Sequence, residues 1–217
     1  MKKIAVIGAT GFVGAKVVNE LANRGYQVRA IARHPEKVEK NGAVEAIKAD
    51  VYQGNELMEA LKEADAVISA FNPGWTNPTI YDAFLKGARS IEKAVEKAGV
   101  KRFIVVGGAG SLYNENNEQL VDLSDFPAAI KPGAQAARDY LDELKRNSVL
   151  DWTFFSPAVE MHQGTSGVRK GTYRTSTETP VFNAEGRSIL SVEDVAVALV
   201  DELENRKFIR QRFTAAY

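Results

Sequence analysis

The 217-residue chain contains no cysteine. That removes disulfides, thiolate nucleophiles and cysteine-based metal sites. Histidine is scarce, with only His34 and His162. No His, Asp and Glu grouping has metal-ligand spacing, so no metal is expected. Neither sign of charge is in excess, with 28 Lys and Arg against 28 Asp and Glu. A balanced chain lacks the basic footprint that nucleic acid or an acidic membrane would require. Long apolar runs are also missing, and none approaches the ~18 to 20 residues of a membrane span. The opening Met1-Lys2-Lys3 and the following Ile-Ala-Val-Ile imitate a signal peptide only briefly. Gly8 and Gly11 interrupt the run, and no small-residue cleavage pattern develops. These absences predict a cytoplasmic globular protein whose partner is a small molecule or none.

What is present is an alternation of two patterns. Short apolar runs occur at Ile4–Ile7, Val28–Ala32, Val44–Ala49, Ala66–Ala70, Phe103–Val106 and Trp152–Phe155. Most lack polar alternation, as parallel strands buried on both faces do. Between them lie helical periodicities: Val13, Val17, Val18 and Leu21; Ile91, Ala94, Val95 and Ala98; Ala137, Tyr140, Leu141 and Leu144. Gly25 and Gly99 follow two of these helices, where C-terminal glycine caps belong. Strand–helix alternation implies right-handed crossovers. The expected fold class is α/β, a single-domain Rossmann-type doubly wound parallel sheet over residues 1–217. Two stretches leave the pattern. Leu112–Pro132 is polar and aperiodic. Val159–Arg187 is glycine-rich and belongs to a small C-terminal, substrate-side excursion over about 159–190. Ser191 and Asp194 fit a capping box with Asp in place of Glu or Gln. A last strand is expected at Phe208–Thr214.

The strongest motif is Gly8-Ala9-Thr10-Gly11-Phe12-Val13-Gly14, between a strand and a helix. Its spacing is G-x-x-G-x-x-G. The physical demands are a sharp turn, a backbone that can approach a pyrophosphate without a Cβ, and close helix–strand packing. The helix N-terminus adds free N–H groups and the positive end of its dipole. The motif therefore predicts a bound nicotinamide dinucleotide. An NAD site usually ends its second strand on an acid that takes the ribose 2′-OH. Here the strand ends Ala30-Ile31-Ala32-Arg33-His34. Arg33 can pair with a 2′-phosphate, so NADP(H) is expected over NAD(H). The alternative is that Arg33 is a solvated strand-end residue.

These residues resemble the atypical short-chain dehydrogenase/reductase superfamily, in its compact NAD(P)H-binding branch. That branch includes NmrA-like proteins, biliverdin reductase B-like flavin reductases, and bacterial proteins of the NAD-dependent epimerase/dehydratase type. The resemblance spans essentially the whole chain. It rests on the glycine turn, Ala49-Asp50-Val51, Ala66–Phe71, Val105–Ser111, Ser156-Pro157-Ala158 and Ser191–Asp194. The bacterial group is nearest, through Ile68–Gly74, Gly107–Ser111 and the terminal Phe213-Thr214-Ala215-Ala216-Tyr217. It implies that Asp50 and Val51 contact adenine and that Ala70, Phe71 and Asn72 border the ribose. Gly107, Gly108, Ala109, Ser156, Pro157 and Ala158 would frame the nicotinamide. Asp50 can equally be a loop cap.

One family mark is missing. Catalytic members carry Tyr-x-x-x-Lys on the helix after strand five, where the Tyr moves a proton at the substrate oxygen. Here Tyr26, Tyr52, Tyr81, Tyr113, Tyr140 and Tyr173 are followed four residues on by Ala30, Glu56, Leu85, Asn117, Leu144 and Thr177, and Tyr217 is the last residue. The equivalent register falls near Lys131 and Gln135. The missing dyad points away from epimerisation and dehydration of the usual kind. Hydride transfer to a flavin or a conjugated acceptor needs less acid–base help, with solvent or Ser111 as proton source. Ser111 and Lys131 are the catalytic candidates. Trp75, Tyr113, Glu160 and His162 are the substrate-pocket candidates. Each has a plain alternative: Trp75 as a lid packed on the protein, Ser111 as a turn hydroxyl, His162 as a surface residue. The functional expectation is an NADPH-dependent oxidoreductase acting on a small, planar acceptor. The alternative is a non-catalytic NAD(P)(H)-sensing regulator of the NmrA-like type.

Overall fold

The computed structural model describes residues 2–39 and 41–217. Met1, part of the basic opening noted in the sequence, lies outside them. Among the described residues eight strands form one sheet in the order β3-β2-β1-β4-β5-β6-β8-β7. The strands are β1 Lys3–Ile7, β2 Gln27–Ala32, β3 Val44–Lys48, β4 Ala66–Ser69, β5 Arg102–Val106, β6 Asp151–Phe155, β7 Arg174–Ser176 and β8 Gln211–Ala216. All pairings are parallel except β7 against β8. The central β4, Ala-Val-Ile-Ser, is buried at every position. The edge strand β3 is exposed at Glu45, Ala46 and Lys48, and charges there discourage pairing with another chain. The order reverses between β1 and β4, so the ends of these two strands form the topological switch point.

Among the described residues, five α-helices cover the two faces: α1 Phe12–Asn23, α2 Gly54–Leu61, α3 Ile80–Lys97, α4 Lys131–Leu144 and α5 Val192–Asn205. Helices α1 and α5 pack Val17, Val18, Leu21, Val195 and Leu199 on one face of the sheet. Helices α2, α3 and α4 bury Leu57, Phe84, Ile91, Val95, Tyr140 and Leu144 on the other. Gly25 and Gly99 close α1 and α3 with φ of +82° and +75°. The doubly wound Rossmann-type fold expected from the sequence is the one observed.

Several local expectations change. Helix α2 was not foreseen; it is only eight residues long and buries only Leu57, Ala60 and Leu61. Strand β7 was also missed, because Arg-Thr-Ser carries no apolar signal and forms only by pairing with β8. The last strand begins at Gln211, not Phe208. Arg206 and Arg210 take φ of +53° and +55°, and the turn between them precedes the strand. Only half of the capping box forms. Ser191 Oγ accepts from the Asp194 N–H at 3.1 Å. The Asp194 carboxylate instead accepts from the Lys170 and Gly171 N–H groups at 2.9 and 2.8 Å and from the Tyr217 hydroxyl at 2.5 Å.

The excursion after β6 therefore has a definite course. Its first part is strapped over α1 and α5. Arg169 pairs with Glu20 at 2.8 Å, and the Tyr173 hydroxyl donates to Asp201 at 2.6 Å. It then turns back as β7. Among the described residues, no helix is long and apolar enough to cross a membrane.

Candidate functional site: the carboxyl edge of the sheet

The glycine turn leaves β1 at the switch point. Gly8 has φ +77°, a left-handed conformation that side chains disfavour. A Cβ on it would lie 2.7 Å from the Ala70 carbonyl oxygen at the end of β4. The Gly8 and Ala9 N–H groups both donate to the Ile31 carbonyl, at 3.1 and 3.2 Å, tying the turn to β2. A Cβ on Gly14 would lie 2.1 Å from the Gly8 carbonyl oxygen, so only glycine lets α1 start this close to the strand. Gly11 is the N-cap of α1 and supplies no side-chain cap, and the first turn of α1 holds no acid. The first N–H to find a helical acceptor is that of Ala15, which donates to Gly11 O at 3.0 Å. Contrast α5, whose N-terminus is closed by Ser191 and carries Glu193 and Asp194. The α1 end is thus built open, with a glycine cradle and unopposed dipole. These features fit the pyrophosphate of a dinucleotide.

That arrangement lies within the region matched by a family model. Residues 8–206 match the model described as NAD(P)H-binding. The chain belongs to this NAD(P)H-binding family. It is 33% identical to the uncharacterized protein YwnB of Bacillus subtilis over 214 residues, covering 98% of this chain and 97% of that one. A solved structure of a provisionally named epimerase from Bacteroides thetaiotaomicron superposes with a TM-score of 0.91 at 46% identity, covering 100% and 97% of the two chains. A provisionally named NADH-flavin reductase from Streptococcus pneumoniae superposes with a TM-score of 0.84 at 38% identity, covering 100% and 99%. The resemblance to NAD(P)-binding reductases and epimerases drawn from the sequence is therefore correct.

The other expected cofactor residues occupy the same edge. Arg33 follows β2, is exposed, and makes no ion pair or side-chain hydrogen bond among the described residues. Asp50 follows β3, and one of its carboxylate oxygens accepts from the Tyr52 N–H at 3.0 Å, so it does cap the loop. Neighbouring Val51 is buried. Ala70, Phe71 and Asn72 follow β4. Phe71 turns toward the protein, its ring stacked on Phe84 with centroids 6.1 Å apart. Asn72 Oδ1 accepts from the Gly74 N–H at 2.7 Å and shapes the turn that carries Trp75. Gly107 follows β5, and Phe154 lies directly behind it: a Cβ on Gly107 would fall 1.9 Å from the ring. Gly108 and Ala109 continue as half-exposed backbone, and Ser156, Pro157 and Ala158 are buried beside them after β6.

The catalytic and pocket candidates fare differently. Ser111 is fully buried; its hydroxyl lies 2.9 Å from Ser156 Oγ and donates to Gly108 O at 3.2 Å. In this arrangement it holds the turn and is closed to a molecule in the cleft. Lys131 and Gln135 occupy the first two turns of α4, both half-exposed, and no tyrosine accompanies them. The tyrosine that α4 does carry, Tyr140, is fully buried and donates to Glu92 at 3.0 Å. Burial, followed by the Glu92 charge, pushes its phenol well above the ordinary range.

Trp75 is 57% exposed. The edge of its indole rests on α4, 2.9 Å from where a Gly133 Cβ would be. Glu160 forms a two-pronged ion pair with Arg187, with Nε to Oε1 at 3.0 Å. That pair holds the Glu160 carboxyl below its usual range. His162 is exposed, and its Nδ1 accepts from the Gly164 N–H at 3.0 Å, the surface alternative. Tyr113 is half-buried against Arg212, whose guanidinium lies 5.4 Å from its ring centroid. Sequence reasoning passed over Arg212. The available signal was a charge inside the apolar terminal run, and it was absorbed into a strand.

Proposed function

We propose that the protein binds NADPH in preference to NADH and reduces a small, planar acceptor without a Tyr-x-x-x-Lys dyad. The observation that carries the cofactor preference is Arg33: a guanidinium without an ion-pair partner among the described residues, at the end of β2, where an NAD site would have an acid. The bound reduced nicotinamide would supply a hydride to the acceptor. The protein's part is to hold the pyrophosphate at the Gly8–Gly14 turn and Arg33 against the 2′-phosphate. The half-exposed backbone at Gly107, Gly108 and Ala109 would flank a flat ring beside the cofactor. Ser111 is sealed by Ser156, so the accompanying proton comes from solvent, which suits an acceptor whose reduced form is a stabilised anion. The name of the Streptococcus pneumoniae neighbour, an NADH-flavin reductase, supports the reaction class and points to the other nucleotide.

Titration of the apo-protein with NADPH and NADH, followed by absorbance assays with flavin and quinone acceptors, tests both parts. Equal affinities would overturn the NADPH assignment. Tight binding with no oxidation across the panel would favour a nucleotide-sensing regulator, a reading supported by the buried Tyr140 and the closed Ser111. We place the protein in the cytoplasm. A similar solved structure from Burkholderia pseudomallei is described as an exported protein, so cell fractionation is the check.

A further inference from the structure

Arg212 sits at the start of β8, paired with Phe154 of β6. Its side chain is 4% exposed. One arm of the guanidinium donates to the Ser111 carbonyl, and another pairs with the Glu178 carboxylate. Nε donates to the Thr177 carbonyl at 2.8 Å. The ring of Tyr113 lies beside it, and the Tyr113 N–H donates to Glu178 O at 2.9 Å. Gln119 Nε2 adds a second, 3.5 Å contact on Ser111 O. One planar cation thus joins three chain segments: the turn after β5, the segment after β7, and β8 itself. A guanidinium presents its donors in a rigid planar fork, whereas an ammonium's three donors are clustered on one rotating nitrogen and cannot span this planar set of acceptors.

The turn it grips, Gly107 to Ser111, is the one placed beside the nicotinamide in the proposed function, and the present inference rests on that reading. Phe154 backs the turn at Gly107 and Arg212 backs it at Ser111, so neighbouring residues of β6 and β8 support both ends. We infer that Arg212 is a positioning residue for the nicotinamide half of the cofactor. It acts through the Ser111 backbone and touches neither cofactor nor acceptor. The adenosine half, held at Gly8–Gly14, Arg33 and Asp50, lies along other strands and does not depend on it.

The test uses R212M and R212K in the full chain, with thermal denaturation to establish folding. Three readouts separate the two halves of the site. They are affinity for adenosine 2′,5′-bisphosphate, which lacks nicotinamide; the emission of bound NADPH, which reports the nicotinamide environment; and kcat with the best acceptor. In R212M the bisphosphate affinity is expected to stay within twofold of wild type. The NADPH emission should move toward that of free NADPH, and kcat should fall at least tenfold. R212K keeps the charge and should recover only part of the loss. If R212M does not fold, R212K carries the same comparison. Wild-type emission and kcat in a folded variant would overturn the inference. So would parallel weakening of both ligands, which marks a general structural role. A wild-type protein that turns over no acceptor sinks the oxidoreductase reading alone, and the emission of bound NADPH then decides the role of Arg212.

Discussion

Gly14 and Gly11 sit three residues apart in the same turn, and replacing each with alanine should have opposite consequences. At Gly14 the new Cβ would lie 2.1 Å from Gly8 O and 2.8 Å from Gly8 C. Both atoms are backbone, and ordinary contact begins near 3.4 Å. The clash is relieved only by lifting α1 more than ~1 Å off the turn, against a helix whose Val17, Val18 and Leu21 are fully packed. Overpacking of this kind costs about 1–3 kcal/mol. For a chain of this size each kcal/mol is worth roughly 2–4 °C, so Tm should fall by about 2–12 °C. At Gly11 the Cβ meets only Gly8 O, at 3.2 Å, and the backbone φ of −80° suits any residue. Its Tm should move little. Yet the methyl would stand at the open end of α1, where the proposed function puts the pyrophosphate. Loss of even one charge-assisted hydrogen bond at ~1.5–3 kcal/mol gives at least about a tenfold loss of NADPH affinity. Calorimetric melting and NADPH titration on the two variants read both effects. A G14A protein with unchanged Tm would refute the packing argument. A G11A protein that binds NADPH like wild type would refute the placement of the phosphates.

Three further outcomes are expected. R33A should weaken NADPH by about 10- to 100-fold, the worth of one charged hydrogen bond or two, and leave NADH unaffected; parallel loss of both would show that Arg33 does not touch a 2′-phosphate. E202A should destabilise the fold by ~3–5 kcal/mol in urea titration, because it strands Arg102, a guanidinium 4% exposed whose pKa burial already lowers to about 10; a loss below ~1 kcal/mol would contradict this. The Glu20 carboxyl is held below its ordinary value, first by its hydrogen bond from Arg169. The unfolded chain therefore takes up that proton first, so the contribution is whole above about pH 4.5 and is lost as pH falls through the folded value. In R169A the acid-side decline of Tm should be shallower than in wild type, and identical profiles would refute the linkage.

Some of this was legible in the sequence because it is local. A strand, three glycines and a helix are contiguous, and each glycine has a reason within seven residues or one strand away. Arg33 needed only the end of the same β2. The fold class followed from alternation, which short-range periodicity carries. What was illegible depends on pairing across the chain. Strand β7 exists because β8 offers an edge. Arg212 has its meaning from Ser111, 101 residues earlier. Glu160 and His162 looked like free chemistry, but Arg187 and Gly164 had already engaged them. A polar residue near a site is read as reactive until its partner is known, and the partner is the tertiary fact.

The missing dyad shows the same principle from the other side. Absence of Tyr-x-x-x-Lys in the sequence left open that a displaced tyrosine served instead. Tyr140 lies on the right helix, three turns in, yet it faces the core and spends its hydroxyl on Glu92. A phenol pushed upward by burial holds its proton across the whole physiological range. Ser111 is withdrawn by Ser156 and Lys131 stands without a phenol to activate. Neither Ser111 nor Tyr140 therefore offers a proton to the cleft. The glycine turn and the open end of α1 fit a dinucleotide, and the proposed reduction draws its proton from water. An acceptor that needs concerted protonation, such as an isolated ketone, should turn over far more slowly than a flavin or quinone.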